Sequence, residues 1–196
     1  MYYPNRSPQS MASHAAMATA TDDKTPVAML TAAAELILDR LMFNERSKDI
    51  THSLNLQGFK RWHRYNTRRD MENMMHIKSY IIDHYHELPE VDNEDFKYLP
   101  VDLKAHLETW CERDKNLLAS LSQLKTDLIV PGNYHVEASL IQELLEEICC
   151  EIKYLGRYMK ELEDEEYSAY CIYQISRKVH EYFKKKELEV QHIDIY

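Results

Sequence analysis

Four long segments of this chain each set one or two carboxylates midway along an otherwise apolar helical stripe, and few folds accommodate that pattern. The clearest segment runs over 101–129. There Leu103, Leu107, Trp110, Asp114, Leu117, Leu121, Leu124 and Leu128 alternate at three and four residues, with Asp114 the one charge on the stripe. In the segment from Phe59 to about Glu87, Phe59, Trp62, Asn66, Asp70, Asn73, Ile77 and Tyr80/Ile81 share a face that His84 closes. It is apolar toward its ends and polar in the middle, and Asp70 and Asn73, three apart, point the same way. The segment 134–163 carries Leu140, Leu144, Glu147, Glu151, Leu155 and Leu162 on its buried side, with the two acids one turn apart. The first helix, 27–49, follows Pro26 and is read with Ala28, Thr31, Glu35, Leu38 and Met42 on its seam, Ile37 and Leu41 beside it.

A buried acid needs a partner, a proton or a metal. For Asp70 alone the plain reading is a wet edge of the seam or a pair with Arg68 or Arg69. Taken jointly, four helices with acids at one depth imply a shared cation, because carboxylates gathered in a dry core otherwise repel or protonate. Bundles meet this with a dimetal centre, of iron or manganese as a rule. The second helix, however, offers Asp70-x-x-Asn73 where such a site wants Glu-x-x-His, and Asn is a weak neutral ligand. His76, four past Glu72, lies off the stripe.

With 196 residues, 44% of them hydrophobic, and only 3 Gly and 6 Pro, the chain has the makings of one nearly all-helical domain. Its net charge of -9 argues against nucleic-acid binding. The one basic patch, Lys60, Arg61, Arg64, Arg68 and Arg69, reads mainly as a solvated face, with an acidic partner surface as the second option. Cys111, Cys149, Cys150 and Cys171 show no metal-type spacing and suit a reducing compartment, the cytoplasm. Residues 1–26 read as a flexible arm; a mitochondrial presequence is the alternative, since Arg6 meets no acid until Asp22. No stretch is long and apolar enough to span a membrane. The acidic, proline-bounded segment 88–100 reads as a crossover between helices that need not be antiparallel neighbours. Residues 27–163 form the expected bundle, and 164–196 an acidic linker, a short fifth helix over 167–186 and a charged tail.

The segment Asn55-Leu-Gln-Gly-Phe-Lys-Arg-Trp-His-Arg-Tyr-Asn resembles the ferritin family's "ALKGFAKWFRxQ". Lys115-Asn116 is similar to its "EKN", Gly132-Asn-Tyr-His135 to its "NDPH" turn, and Glu147 through Tyr154-Leu-Gly156 to its "NEQVKxIKELG". The resemblance spans about residues 30–163 and implies a ferritin-like four-helix bundle with a long crossover between helices 2 and 3. It implies metal-binding roles for Glu35, Asp70, Asn73, Asp114, Glu147 and Glu151, of which Asp70 stands for the bridging Glu and Asn73 for the His. The catalytic Gln falls on Ile148, and a first-helix tyrosine falls on Met42. Three-fold pore acids fall on Ala138 and Ile141, with Glu137 and Glu143 close by.

The function the resemblance implies is iron binding and storage, with Fe(II) and Fe(III) as the metal and weak or absent oxidation of Fe(II) by dioxygen. The assembly it implies is a homo-oligomeric cage of 24 subunits, or co-assembly with an active ferritin subunit. The alternative is a structural or interaction subunit that keeps the bundle without the iron chemistry.

Overall fold

The computed structural model describes residues 25–91, 99–130 and 133–193, with side chains described as far as 188. The expected flexible arm and part of the crossover lie outside these residues, apart from 25 and 26 of the arm. Five helices make up the fold: α1 (Pro26–Ser53), α2 (Gln57–Tyr85), α3 (Leu103–Ile129), α4 (His135–Asp164) and α5 (Ala169–Ile193). Their ends follow local chemistry. Thr25 caps α1 by accepting from the Ala28 N–H at 3.2 Å, with Pro26 in the first turn where its missing N–H costs nothing. Asp102 caps α3 in the same way, accepting from Ala105 at 2.9 Å. α2 closes on His86 in the left-handed region, and Asn55 and Asn133 take that conformation in the tight turns before α2 and α4.

Side-chain pairs fix the topology. Arg40 meets Asp70 while Asn44 meets His63, so α1 and α2 form an antiparallel hairpin. Asn66, Asn73 and Tyr80 of α2 meet Glu151, Glu147 and Glu137 of α4 in descending order, so these two are antiparallel as well. Arg40 joins Asp70 of α2 and Asp114 of α3, while His63 of α2 meets His106 of α3. Helices 2 and 3 therefore run the same way, which is why a long connection must separate them.

The bundle has two cores with a polar layer between them. One half is aliphatic and gathers Leu30, Ile37, Ile77, Ile81, Leu121, Leu128, Ile141 and Ile148. The other is aromatic and gathers Phe43, Phe59, Trp62, Leu107, Trp110 and Leu155. Trp62 and Trp110 meet edge to face with centroids 4.7 Å apart, a preferred geometry for buried rings.

α5 belongs to the aromatic half. It exceeds the short helix expected from sequence, running on past Lys186 to Ile193. It returns antiparallel to α4 and lies along α2, inserting Cys171, Ile175, Val179 and Phe183 into the same core as Trp62, whose ring stacks on Phe183 at 5.1 Å. Gly58 makes this approach possible. Its N–H donates to Ser176 Oγ at 3.0 Å, and a Cβ there would stand 1.8 Å from the Ser176 carbonyl oxygen. The basic patch meets acids of the chain itself: Arg61 and Arg64 reach Glu187 of α5, Arg68 pairs with Glu72 and Arg69 with Glu147.

Candidate functional site: an arginine among the bundle acids

The middle of the bundle is organised by a residue outside the expected constellation. α1 buries Leu30, Ala33, Ala34, Ile37, Arg40, Leu41, Asn44 and Ser47, a stripe at three- and four-residue spacing that passes through Arg40. This phase differs from the expected seam of Ala28, Thr31, Glu35, Leu38 and Met42, and it turns Glu35 to the exposed side. α1 carries Ala, Leu, Ile or Met on nearly every face, so periodicity alone does not select one stripe.

The Arg40 guanidinium reaches one carboxylate from each of the other three bundle helices. Nη1 donates to Asp70 Oδ1 at 2.6 Å, Nε to Asp114 Oδ1 at 3.2 Å, and Nη2 to Glu151 Oε2. Three nitrogens of one planar cation thus face α2, α3 and α4 at once, a geometry that the fork of Arg permits and the point charge of Lys does not. Amides complete the ring. Asn44 donates to Asp70 Oδ2 at 2.9 Å, and Asn66 donates to Glu151 Oε1. Asp114 Oδ2 is buried without a hydrogen-bond partner.

Asp70 is 0% and Asp114 1% exposed, so their charges are compensated within the protein. Burial pulls the Arg40 pKa down, but the three carboxylates outweigh it and hold the guanidinium well above its ordinary value. Burial raises the Asp70 carboxyl, with Arg40 and the Asn44 amide opposing. Burial pushes Glu151 up to about 7; Asp114 and Asp70 add to the rise, while Arg40 and Asn66 resist it. One cation facing three acids leaves excess negative charge in the layer, and a proton on Glu151 takes up part of it.

From Asp70 the polar layer continues into the aromatic half. Asn44 Oδ1 lies 2.8 Å from His63 Nδ1, and His63 Nε2 lies 3.4 Å from His106 Nε2. With the Asn44 amide donating to Asp70, its oxygen accepts from His63, which makes His63 Nε2 an acceptor toward His106. Burial, then the neighbouring His106 and Arg40, holds His63 well below the usual histidine value, and burial lowers His106 to about 4.

The six expected ligands divide. Asp70, Asp114 and Glu151 converge, on Arg40. Asn73 is half-buried and donates to Glu147 Oε2 at 3.1 Å, and Glu147 pairs with Arg69. Glu35 stands apart on the exposed face of α1, which corrects the expected meeting of Glu35, Asp70, Asp114 and Glu147 at one centre. Among the described residues, no group of three or more His, Cys, Asp or Glu side chains is arranged to hold a metal ion. The donor set does not fit iron, because one oxygen of each of Asp70, Asp114 and Glu151 is engaged by the guanidinium, whose charge occupies the place a metal ion would take.

Other positions carried over by resemblance are also placed. Ile148, at the catalytic Gln position, packs in the aliphatic core. Ala138 and Ile141 are buried in the same core, so they do not line a pore between subunits, a correction to that expectation. Glu137 accepts from the Tyr80 hydroxyl at 3.1 Å and from Tyr85, and these bonds hold its carboxyl below the usual value although burial opposes them. It is a tied-down residue within the subunit. Of the sites that sequence reasoning missed, Arg40 and Asn44 were signalled by the Ile37-Arg40-Asn44-Ser47 spacing, and His63 by its place next to Trp62.

Two hairpins joined by a long crossover, with α2 parallel to α3 and a polar layer at mid-height, define the ferritin-like four-helix bundle. The chain is similar in structure to the open-pore ferritin of the hyperthermophilic archaeon Archaeoglobus fulgidus, with a TM-score of 0.71 at 12% identity over 79% of this chain and 95% of that one. It is likewise similar to a closed form of that ferritin engineered by site-directed mutagenesis, with a TM-score of 0.67 at 13% identity, covering 79% of this chain and 94% of that one. At these identities the likeness is one of fold. No sequence-family description matches the chain, and no curated protein matches it by sequence. No helix among the described residues is long and apolar enough to cross a membrane.

Proposed function

We propose that this chain is a structural subunit of a ferritin-like assembly, in which a buried arginine supplies at the bundle centre the positive charge that iron supplies in a working centre. The observation that carries this reading is the contact of the Arg40 guanidinium with Asp70, Asp114 and Glu151. The guanidinium occupies the space between the three acids, so they are engaged by Arg40 and closed to Fe(II) as a substrate. Oxidation of Fe(II) and storage of iron through this centre, the first function expected from the sequence, receive no support from its geometry. The second expectation, a bundle kept for assembly, is favoured. The likeness to ferritins supports association with copies of itself or with an iron-handling ferritin subunit. A reducing compartment such as the cytoplasm fits the four unpaired thiols.

The test combines three measurements on the purified full chain. The melting temperature is expected to be the same with and without anaerobic Fe(II), iron per chain to be negligible, and the particle mass to exceed that of one chain. A rise in melting temperature with Fe(II), abolished by Asp114→Leu, would overturn the reading in favour of a working metal centre.

A further inference from the structure

The polar layer is not sealed on all sides. Where α5 folds back across α2 and α4, it leaves a cleft of 390 Å³, within the size range of small-ligand sites. The most buried polar groups lining it are Asn66 and Glu151, both members of the Arg40 cluster, and buried Trp62 lines it as well. Tyr65, Tyr154, Tyr182 and Phe183 form the walls. Tyr154 and Tyr182 face each other with ring centroids 5.6 Å apart, and Phe183 lies 5.1 Å from Tyr65. Glu146, Glu147, Arg69 and Lys186 stand around these rings.

We infer that this cleft binds a small organic cation of the alkyl-amine class, with its ammonium group held between Glu151 and Glu147 and its carbon body against the tyrosine walls. The inference rests on the proposed reading, since a single guanidinium facing three acids leaves the layer with excess negative charge. Three observations select a cation. The cleft is lined by three carboxylates and two basic groups, so its balance is acidic. Glu147 and Glu151, one turn apart on α4, both line it; each of their oxygens accepts one donor of the protein and keeps a second lone pair for an ammonium N–H, whereas an anion would be repelled. A side-chain cation already shows the recognition chemistry at this place: the Arg69 guanidinium lies 5.6 Å from the Tyr65 ring centroid while pairing with Glu147. Aromatic faces and carboxylates acting together are the usual means by which proteins hold organic cations. An apolar body is required as well, because five of the twelve lining residues are aromatic, and a hydrated metal ion would leave their faces unfilled.

The test is calorimetric titration of the full chain with putrescine, using n-butanol as the uncharged probe and butyrate as the anionic one. Putrescine is expected to bind at one site per chain, and the other two probes to give no heat of binding. Tyr182→Ala, a change at a partly exposed wall residue of α5, is expected to weaken putrescine by about tenfold while leaving the melting temperature in place. Glu151→Gln is expected to weaken it at least as much. Silence with putrescine, binding of butyrate equal to that of putrescine, or an unchanged affinity in Tyr182→Ala would each overturn the inference. A silent cleft in a protein whose melting temperature ignores Fe(II) would fail the cleft alone and leave the Arg40 reading standing. A melting temperature that rises with Fe(II) fails the Arg40 reading whatever putrescine does.

Discussion

Of the six residues expected to form one centre, Glu35 lies apart on the exposed face of α1, and the other five separate into two regions that neutralise charge by different means. The inner set, Asp70, Asp114 and Glu151, is buried and shares the guanidinium of Arg40 from a fourth helix. The outer set, Asn73 and Glu147, lies one turn toward the aliphatic half, where Glu147 and its partner Arg69 are each 34% exposed. Solvent screens the outer pair, and its contribution to stability is small. Inside, the desolvation cost of three carboxylates is large and must be offset by a cation held in fixed geometry. The same residue types therefore carry very different energetic weight a turn apart. The difference teaches that burial decides which acids of a resembling motif keep a structural duty.

The comparison can be broken most directly at Arg40. Arg40→Ala strands three buried acids and is expected to cost about 3 to 5 kcal/mol in denaturant unfolding at neutral pH. The variant is also expected to regain part of that stability on addition of a divalent metal, because the acids then face a vacated cation position. A loss below about 1 kcal/mol would mean that the inner set behaves like the outer one.

The next effect is one of pH. Glu151 has a folded pKa of about 7 against an ordinary 4.5, so the folded state binds its proton more tightly than the unfolded state does. Stability from this group is present below about 4.5 and is lost as pH rises through about 7. The size is on the order of 3 kcal/mol across that window. His63 and His106 act in the opposite sense, since their lowered values make stability fall as pH drops below the unfolded histidine value of 6.5. The difference between wild type and Glu151→Gln isolates the acid. It is expected to shift in favour of the Gln variant as pH rises from about 5 to about 7.5. A pH-independent difference would show that Glu151 titrates normally in the folded protein.

The outer set gives smaller changes. Asn73→His removes a half-buried hydrogen bond to Glu147 and is expected to cost about 1 kcal/mol, with no gain in Fe(II) affinity while Arg40 is present. Combining it with Arg40→Ala is expected to give tighter divalent-metal binding than Arg40→Ala alone, seen as a larger rise in melting temperature. An Fe(II) response in the single variant would merge the two regions into one site. Arg69→Ala, which breaks an exposed pair, is expected to change stability by no more than about 1 kcal/mol.

Much of the fold was legible because α2 and α3 set most of their large apolar residues on one stripe, with Met71, Met75 and Ile82 of α2 the exposed exceptions. Phe59, Trp62, Asn66, Asp70, Ile77 and Ile81 were read on the seam of α2 and are buried there. On α3, Leu103, Leu107, Trp110, Asp114, Leu117, Leu121 and Leu128 are buried as read. On α1 the reading went astray, because apolar side chains on nearly every face of the helix leave its rotation undetermined. The error exchanged Glu35 for Arg40 and so changed the sign of the charge assigned to α1 at the centre. The pairing foreseen for Asp70, with an arginine, has the right chemistry, but the partner is Arg40 of α1 instead of Arg68 or Arg69 of its own helix.

By itself the sequence determined the helical class, the approximate bounds of α1 to α4, the need for a crossover between α2 and α3, and the presence of acids at mid-height. Each follows from local signals: caps, prolines and the period of large apolar residues over a few turns. Tertiary structure alone decided what those acids meet. Arg40 lies 30, 74 and 111 residues from Asp70, Asp114 and Glu151, and no local pattern links positions so far apart. It also decided that α5 lies along α2, because the approach depends on the missing side chain of Gly58 and on the Trp62–Phe183 stack, contacts that exist only after the bundle has closed. A helix with a single apolar stripe carries its orientation in its own sequence; one whose apolar residues are spread over nearly every face, as in α1, takes its orientation from the charges and cavities of its neighbours.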